Sequence, residues 1–345
     1  MAHSARILAA SISPDGVPLT SFEVVMPRII LAEFNTHRVL RTGEDVENSI
    51  DFGYPFSRNS ASSRAIPVEK MLKAVMTDPY IPTSWGKNQK GMQAGAEVDA
   101  ATAAQSEKAW LHARDAAVAQ AQRLLDLGIH KQTTNRLLEP FMWHTVLVTA
   151  TEWSNFFHLR NNPQAHPDIQ VVAGMMQELY EHAREPRELQ YGEWHLPLIS
   201  EYDESEIQGP NRNVYGLGGP VTDEAAWLTL CKVSVGRCAR VSYLTHDGKR
   251  DLQADIDLHD RLLESGHMSP FEHVVRPATL EDTDNGARFN MKDIEAARRW
   301  DGGEYETTFY VPPDKQWHGN FRGWVQYRKL IAHESDILAP REVLA

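Results

Sequence analysis

Apolar and polar side chains alternate over Arg6 to Ile12 and again over Ser21 to Val25, with turn residues between them, and this pattern predicts two β-strands. The run PRIILAEFNTHR then changes from strand-like to helical spacing, a strand feeding a helix. A polar stretch from Arg41 to Pro55 reads as a solvent loop and leads into the serine-rich FSRNSASSRAIP. Residues 96–127 are Ala-rich, with Leu124, Leu125 and Leu127 before Gly128, and predict a long helix that stops at that glycine. Further helices are expected from about Arg136 to Phe157 and from Asp168 to Ala183, the last opening at Pro167. ISEYDESEIQGPNRNVYGLGGP is acidic and then rich in Gly, Pro and Asn, which marks residues 200–222 as a linker between parts 1–199 and 223–345. Beyond it, VGRCARVSYL is strand-like, a helix runs from about Asp251 to Glu264 ahead of Gly266, and GHMSPFEHVV reads as a polar, ligand-contacting turn.

Composition narrows the function classes. The chain has 345 residues, 42% hydrophobic and 24% charged, the profile of a globular protein with a substantial core. A net charge of -12 and a pI near 5.7 argue against a protein that coats nucleic acid. Any phosphate chemistry must rely on a few local arginines. No stretch reaches the ~18 apolar residues of a membrane span, and MAHSARILAASISPDG lacks the apolar run of a signal peptide, so a cytoplasmic location is expected. Cys231 and Cys238 sit in no metal-binding or disulfide spacing.

Four clusters carry candidate chemistry. SRNSASSR places Ser57, Asn59, Ser60, Ser62, Ser63 and Arg64 within eight residues, too polar for a core element. It reads either as an anion-binding loop, with approachable backbone N–H groups beside an arginine, or as a helix-capping loop. Thr36, His37 and Arg38 follow a packed apolar run. In WSNFFHLRNNPQAHPDIQ, Asn155 and Arg160 lie near the end of a helical stretch, with His166 and Asp168 across a proline break. Trp153, Phe156 and Phe157 there read either as core or as a stacking platform. His267, Ser269, Glu272 and His273 fall within seven residues, but their spacing is not that of a zinc helix, and no metal site is expected.

Together these clusters resemble the flavin-dependent thymidylate synthases, whose signature is RHRxxSxNxxSxR. Thr36-His37-Arg38 is followed, after an insertion of sixteen residues, by Ser57-x-Asn59-x-x-Ser62-x-Arg64, which matches every fixed position of the second half. GIHKQTTNRLLEP and WSNFFHLRNNPQAHPDIQ resemble two downstream family segments; RCARVSY and LLESGHMSPFEH resemble the family's A-R-V-S and G-H-x-S-P-F-E-H. In the family these last two precede the arginine motif, whereas here they follow it, so the order is permuted. Thr36, Glu33 and Ser60 stand where the family has arginine, glutamine and an acidic residue, and Thr149 and Thr151 replace an N-x-R pair. GNFRGWVQYRKLI reads either as a weak echo of the arginine helix, with Arg322 or Arg328 supplying a missing charge, or as an amphipathic surface helix.

The resemblance implies an α+β fold, a mixed sheet with long helices, and a homo-oligomer, a tetramer in the family, with sites formed between chains. It implies transfer of a one-carbon unit from methylenetetrahydrofolate to C5 of dUMP, with FAD as cofactor and NADPH as reductant. Ser62, Ser63, Arg64 and Arg136 would hold the nucleotide, and Arg160 would face the pyrimidine, with Ser62 and Arg160 at the reacting centre. His37, Arg38, Ser57, Asn59, Asn155, His267, Ser269 and Glu272 would line the flavin. The substituted family positions leave open hydroxymethylation, action on dCMP, or a nucleotide-binding protein without catalysis. Cys238, in a β-alternating run, is expected to point into the core rather than to act as a nucleophile.

Overall fold

Strand β1 (Ser4–Ile12) and β2 (Pro18–Pro27) form a hairpin that leads through a 3-10 turn into the short helix α1 (Leu31–Asn35). The computed structural model describes residues 2–36, 56–182, 185–208, 223–248, 250–279 and 321–332, with 282, 341 and 343. There follow β3 (Ser57–Ser60), α2 (Val68–Thr77), α3 (Ala100–Asp126), α4 (Lys131–Thr134), β4 (Trp143–Ala150), α5 (Ser154–Arg160), α6 (Pro167–His182) and β5 (Arg187–Glu188). The rest comprises α7 (Glu201–Gln208), α8 (Asp223–Arg240), α9 (Leu252–Ser265), β6 (Val275–Pro277) and β7 (Trp324–Gln326). The fold is α+β. A five-stranded mixed sheet has the order β3-β4-β2-β1-β5, antiparallel except for the β1–β5 pair, and β6 and β7 form a separate antiparallel pair.

Alternation along the strands sorts the two faces of the sheet. Phe22, Val24 and Met26 of β2, with Val146, Val148 and Ala150 of β4, bury against α5 and α6 through Phe156, Phe157, Ile169, Val172 and Met176. The opposite face carries Ser21 and Glu23 of β2, Leu147 and Thr149 of β4, and Ser57 and Asn59 of β3. Cys238 of α8 and Val241 pack on Leu147 there. Helices α8 and α9 cross closely, since a Cβ at Gly236 would lie 2.3 Å from the Asp255 carbonyl oxygen.

Several expected elements form as read. Helix α3 starts at Asp99, whose carboxylate accepts from the Thr102 N–H, and ends just before Gly128 at φ +75. Helix α6 opens at Pro167, and α9 runs from an Asp251 cap to Gly266. Three readings are corrected, and a fourth, the linker, lies largely outside the described residues. Arg136 to Phe157 is not one helix: a 3-10 turn over Asn135–Phe141 contains Pro140, and β4 follows, because the β-branched run of Thr145, Val146, Val148 and Thr149 buries in the centre of the sheet. VGRCARVSYL is not a strand; it is the end of α8 and a 3-10 turn. The presumed linker begins with α7, tied to α8 by ion pairing of Asp203 with Arg237; residues 209–222 lie outside the described residues. GNFRGWVQYRKLI holds β7 and a 3-10 turn, with Trp324, Val325 and Tyr327 fully buried, in place of a surface helix.

Candidate functional site

The serine-rich segment is strand β3 and the turn that follows it, and it corrects the expectation that so polar a segment stays out of the core. Ser57 and Ser63 are buried, and their polar atoms find partners inside the fold. The short side chains let three distant parts of the chain meet. Asn59 Nδ2 donates to the Cys238 carbonyl (2.5 Å), and Ser242 Oγ donates back to Asn59 Oδ1 (3.3 Å). The Ser62 N–H donates to the Ser242 carbonyl (3.0 Å). Gln326 Nε2 donates to both Ser57 Oγ (2.9 Å) and the Glu272 carbonyl (3.1 Å). Segments 57–64, 238–242 and 269–273 are thus neighbours around β3.

Beyond β3 the chain makes a turn in which Ser62 is half-buried, Ser63 buried and Arg64 exposed. Asn135 Nδ2 donates to the Ser63 (2.7 Å) and Ile66 (3.0 Å) carbonyls, and Lys131 Nζ to that of Ala65 (2.7 Å). Clamped carbonyls leave the hydroxyls and the guanidinium as the groups able to face a ligand. Arg136 Nη1 (2.6 Å) and Ser63 Oγ (2.9 Å) both donate to one oxygen, Glu139 Oε1, and Arg28 Nη2 lies 3.6 Å from it. Arg64 makes no ion pair among the described residues. Sequence reasoning missed Arg28, Asn135 and Glu139, although the i,i+3 spacing of Arg136 and Glu139 is itself a pairing signal.

The other expected site residues occupy two further places. On the α5 face, Arg160 Nη2 donates to the Glu33 carbonyl (3.3 Å), while its Nε is buried without a partner among the described residues. Arg58 binds the Asn35 backbone and side chain nearby (2.7 and 2.9 Å), and Asn155 is half-buried at the start of α5. His37 and Arg38 lie outside the described residues. At the rim of β3, His267 and Ser269 are exposed, and Glu272 is paired with Arg328 (2.5 Å). Ser57 and Asn59 side chains point at α8 and β7, so they build the wall between these places. Trp153, Phe156 and Phe157 belong to the core, with Trp153 stacked on Phe56 at 4.8 Å. Trp153 and Phe157 also line a cleft of about 900 Å³ with Tyr180, Asn161 and Arg322, the last 3.5 Å from Glu152.

A buried polar chain, not foreseen from the sequence, crosses the sheet behind these groups. Ser11 Oγ bonds His195 Nδ1 (2.9 Å), His195 Nε2 bonds Ser21 Oγ (2.8 Å), Ser21 bonds Thr149 (2.5 Å), and Thr149 bonds His273 Nδ1 (2.8 Å). Burial pushes both imidazoles down to about 3, so they are neutral at physiological pH. Glu23, His246 and Asp247 place ligand atoms within 4.8 Å of one another. Arg6 already donates to both Glu23 oxygens (2.8 and 2.9 Å) and His246 bonds the same carboxylate; against the opposing effect of burial these bonds hold Glu23 at about 2. Cys231 and Cys238 are buried in α8, and burial pushes the Cys238 thiol up to about 12.

No family model and no curated protein matches the chain. Among solved structures, the UMP/dUMP methylase PolB from Streptomyces cacaoi bound with 5-Br UMP overlaps 52% of this chain and 88% of its own, at 16% identity and a TM-score of 0.39. The same methylase bound with 5-Br dUMP overlaps 47% of this chain and 65% of its own, at 19% identity and a TM-score of 0.35. Overlaps of this depth do not establish a shared fold. Among the described residues no helix is long and apolar enough to cross a membrane.

Proposed function

We propose that this chain is a flavin-dependent enzyme that transfers a one-carbon unit from methylenetetrahydrofolate to C5 of a pyrimidine deoxynucleotide, dUMP, with NADPH as reductant. The observation that carries this reading is the meeting of segments 57–64, 238–242 and 269–273 through the Asn59, Ser62 and Gln326 bonds. These segments resemble three motifs of the flavin-dependent thymidylate synthases, and their order along the chain differs from the family's. Unrelated motif matches would have no physical reason to become neighbours.

In this reading the turn after β3 takes the nucleotide phosphate. Ser62, Ser63, Arg64 and Arg136 offer hydroxyl donors and two planar guanidinium forks, the groups suited to a phosphate dianion. Arg160 faces the pyrimidine, and its charge stabilises the negative charge that develops on the ring as C5 becomes nucleophilic. Its Nε, buried without a partner among the described residues, is a donor that an acceptor on the bound pyrimidine would satisfy. His267, Ser269 and Glu272 at one rim, with Asn155, His37 and Arg38, are proposed to hold the flavin; Ser57 and Asn59 support that wall. Bound flavin supplies electrons for reduction of the transferred carbon. Those of the proposed residues that are described lie in three places around β3, in keeping with sites completed by a second copy of the chain in a homo-oligomer.

The test is an absorbance spectrum of the purified protein after incubation with FAD, then turnover of dUMP and dCMP with methylenetetrahydrofolate and NADPH, with mass analysis of the product. A bound flavin spectrum and a product 14 mass units heavier than dUMP, the mass of the CH2 by which methylation increases the substrate, on the order of a single added carbon, support the reading. Colourless protein that ignores FAD and leaves dUMP unchanged overturns it.

A further inference from the structure

Two of the groups proposed to bind phosphate, Ser63 and Arg136, already hold an anion in this structure, and it is the protein's own. Glu139 Oε1 accepts from Arg136 Nη1 at 2.6 Å and from Ser63 Oγ at 2.9 Å, with Arg28 Nη2 at 3.6 Å. One carboxylate oxygen thus collects a hydroxyl and two guanidinium groups, the donor set that a phosphate oxygen would require. The clamp that holds the turn does not depend on Glu139, since Asn135 and Lys131 bind the Ser63, Ala65 and Ile66 carbonyls directly. Glu139 is part-exposed, beside the exposed Arg64 turn, and its segment is fixed by Pro140 and the buried Leu138 and Phe141.

Resting on the reading of this turn as the nucleotide phosphate site, we infer that Glu139 is a positioning residue that stands in for the phosphate and sets how tightly the site takes it. In the free protein it keeps Ser63 and Arg136 in the orientation a phosphate needs. A phosphate monoester, carrying up to two negative charges and three acceptor oxygens, offers these donors more than one carboxylate does and takes them over. A neutral nucleoside cannot displace Glu139 and gains nothing from the cradle. Part of the phosphate's binding energy goes into separating Glu139 from Arg136 and into the repulsion that remains between the two anions. Affinity for the phosphorylated ligand therefore reflects a competition, and weakening the competitor must strengthen nucleotide binding.

The experiment is calorimetric titration of the full chain with dUMP and with deoxyuridine, in wild type, Glu139→Gln, Glu139→Ala and Arg136→Ala. Glutamine keeps an oxygen for Ser63 and removes the charge. We expect Glu139→Gln to bind dUMP about 10-fold tighter, one step of charge-assisted pairing, with deoxyuridine binding unchanged and Arg136→Ala weakening dUMP alone. Glu139→Ala gives the same direction should the glutamine variant fold poorly. If Glu139→Gln binds dUMP within twofold of wild type or more weakly while Arg136→Ala still loses it, the phosphate site stands and the role of Glu139 is overturned. If dUMP and deoxyuridine bind alike and Arg136→Ala changes neither, the site reading fails and takes this inference with it.

Discussion

Removing the Arg64 guanidinium separates a functional role from a structural one, because the side chain is exposed and makes no ion pair among the described residues. Arg64→Ala should therefore change stability by no more than about 0.5 kcal/mol, the usual range for a surface substitution away from caps and cores. Its effect on the nucleotide should be far larger. A charge-assisted hydrogen bond contributes about 1.5–3 kcal/mol, so loss of one guanidinium from a phosphate should raise the dUMP dissociation constant roughly 10- to 150-fold. FAD binding should move less than about threefold, a fraction of one such bond, since the described residues proposed for the flavin lie at the rim and on the α5 face. The assays are thermal denaturation, calorimetric titration with dUMP, and titration of FAD by its fluorescence. Equal weakening of both ligands, or of neither, with the melting temperature unchanged, refutes the assignment of Arg64 to phosphate.

Three further outcomes follow from the same geometry. Arg160→Lys should lower turnover by ~10²-fold or more, as loss of a preorganised charge does, because a point charge cannot both reach the Glu33 carbonyl and present a planar fork to a ring; near-normal turnover sinks that role. The Cys231→Ala, Cys238→Ala double variant should keep most of its flavin-dependent turnover: with the Cys238 thiol at about 12, on the order of one molecule in 10⁵ carries a thiolate at pH 7, so a loss of ~10³ with flavin still bound would instead mean covalent cysteine catalysis. Asp203 is lowered from 3.8 to about 2, the bonds from Arg237 and Ser200 outweighing burial. A carboxylate with a depressed folded value stabilises above its unfolded value and loses that contribution as pH falls through the folded one, so about 2 kcal/mol should disappear between pH 4 and 2. Urea midpoints measured across that window should flatten in Asp203→Asn, and an unchanged profile contradicts the account.

How much of this was legible in the sequence depends on whether local or distant contacts decide each element. Helices α3, α6 and α9 have their stop and start signals in the chain itself: Asp99, Gly128, Pro167, Asp251 and Gly266 each cap or punctuate without help from elsewhere. The region from Arg136 to Phe157 does not. Its Thr and Val residues tolerate either helix or strand, and β4 is chosen because β2 and β3 pair with it on both sides. The same holds for GRCARVS, where Gly236 looks like a helix breaker until the α9 backbone at Asp255 is seen to leave no room for a Cβ there. Burial of Cys238 was foreseen on the wrong element: a strand and a helix can each hide a small thiol, so the core assignment survived the change of secondary structure.

The candidate site shows the same division at the level of single side chains. Ser57, Asn59 and Ser63 were recognised as chemistry because hydroxyls and amides are rare in cores, yet their polarity is matched inside the protein by Gln326, the Cys238 carbonyl and Glu139. A sequence displays a polar group but not the partner that satisfies it, and satisfaction decides whether the group faces a ligand. Arg64 and Ser62 remain available by this criterion; Ser57 and Asn59 do not, and Ser63 and Arg136 become so only when a ligand displaces Glu139. In the proposed reading, the same bonds bear on the order of the resembling segments. Asn59, Ser62 and Gln326 join their three segments through bonds that require proximity and make no demand on which segment comes first. Chain order enters through the closure entropy of the intervening loops, which rises by only about 0.6 kcal/mol for each doubling of loop length. A few buried hydrogen bonds of about 1 kcal/mol each are enough to offset that difference. The neighbourhood around β3 is therefore the physically constrained quantity, and the order in which the chain visits it is free to vary.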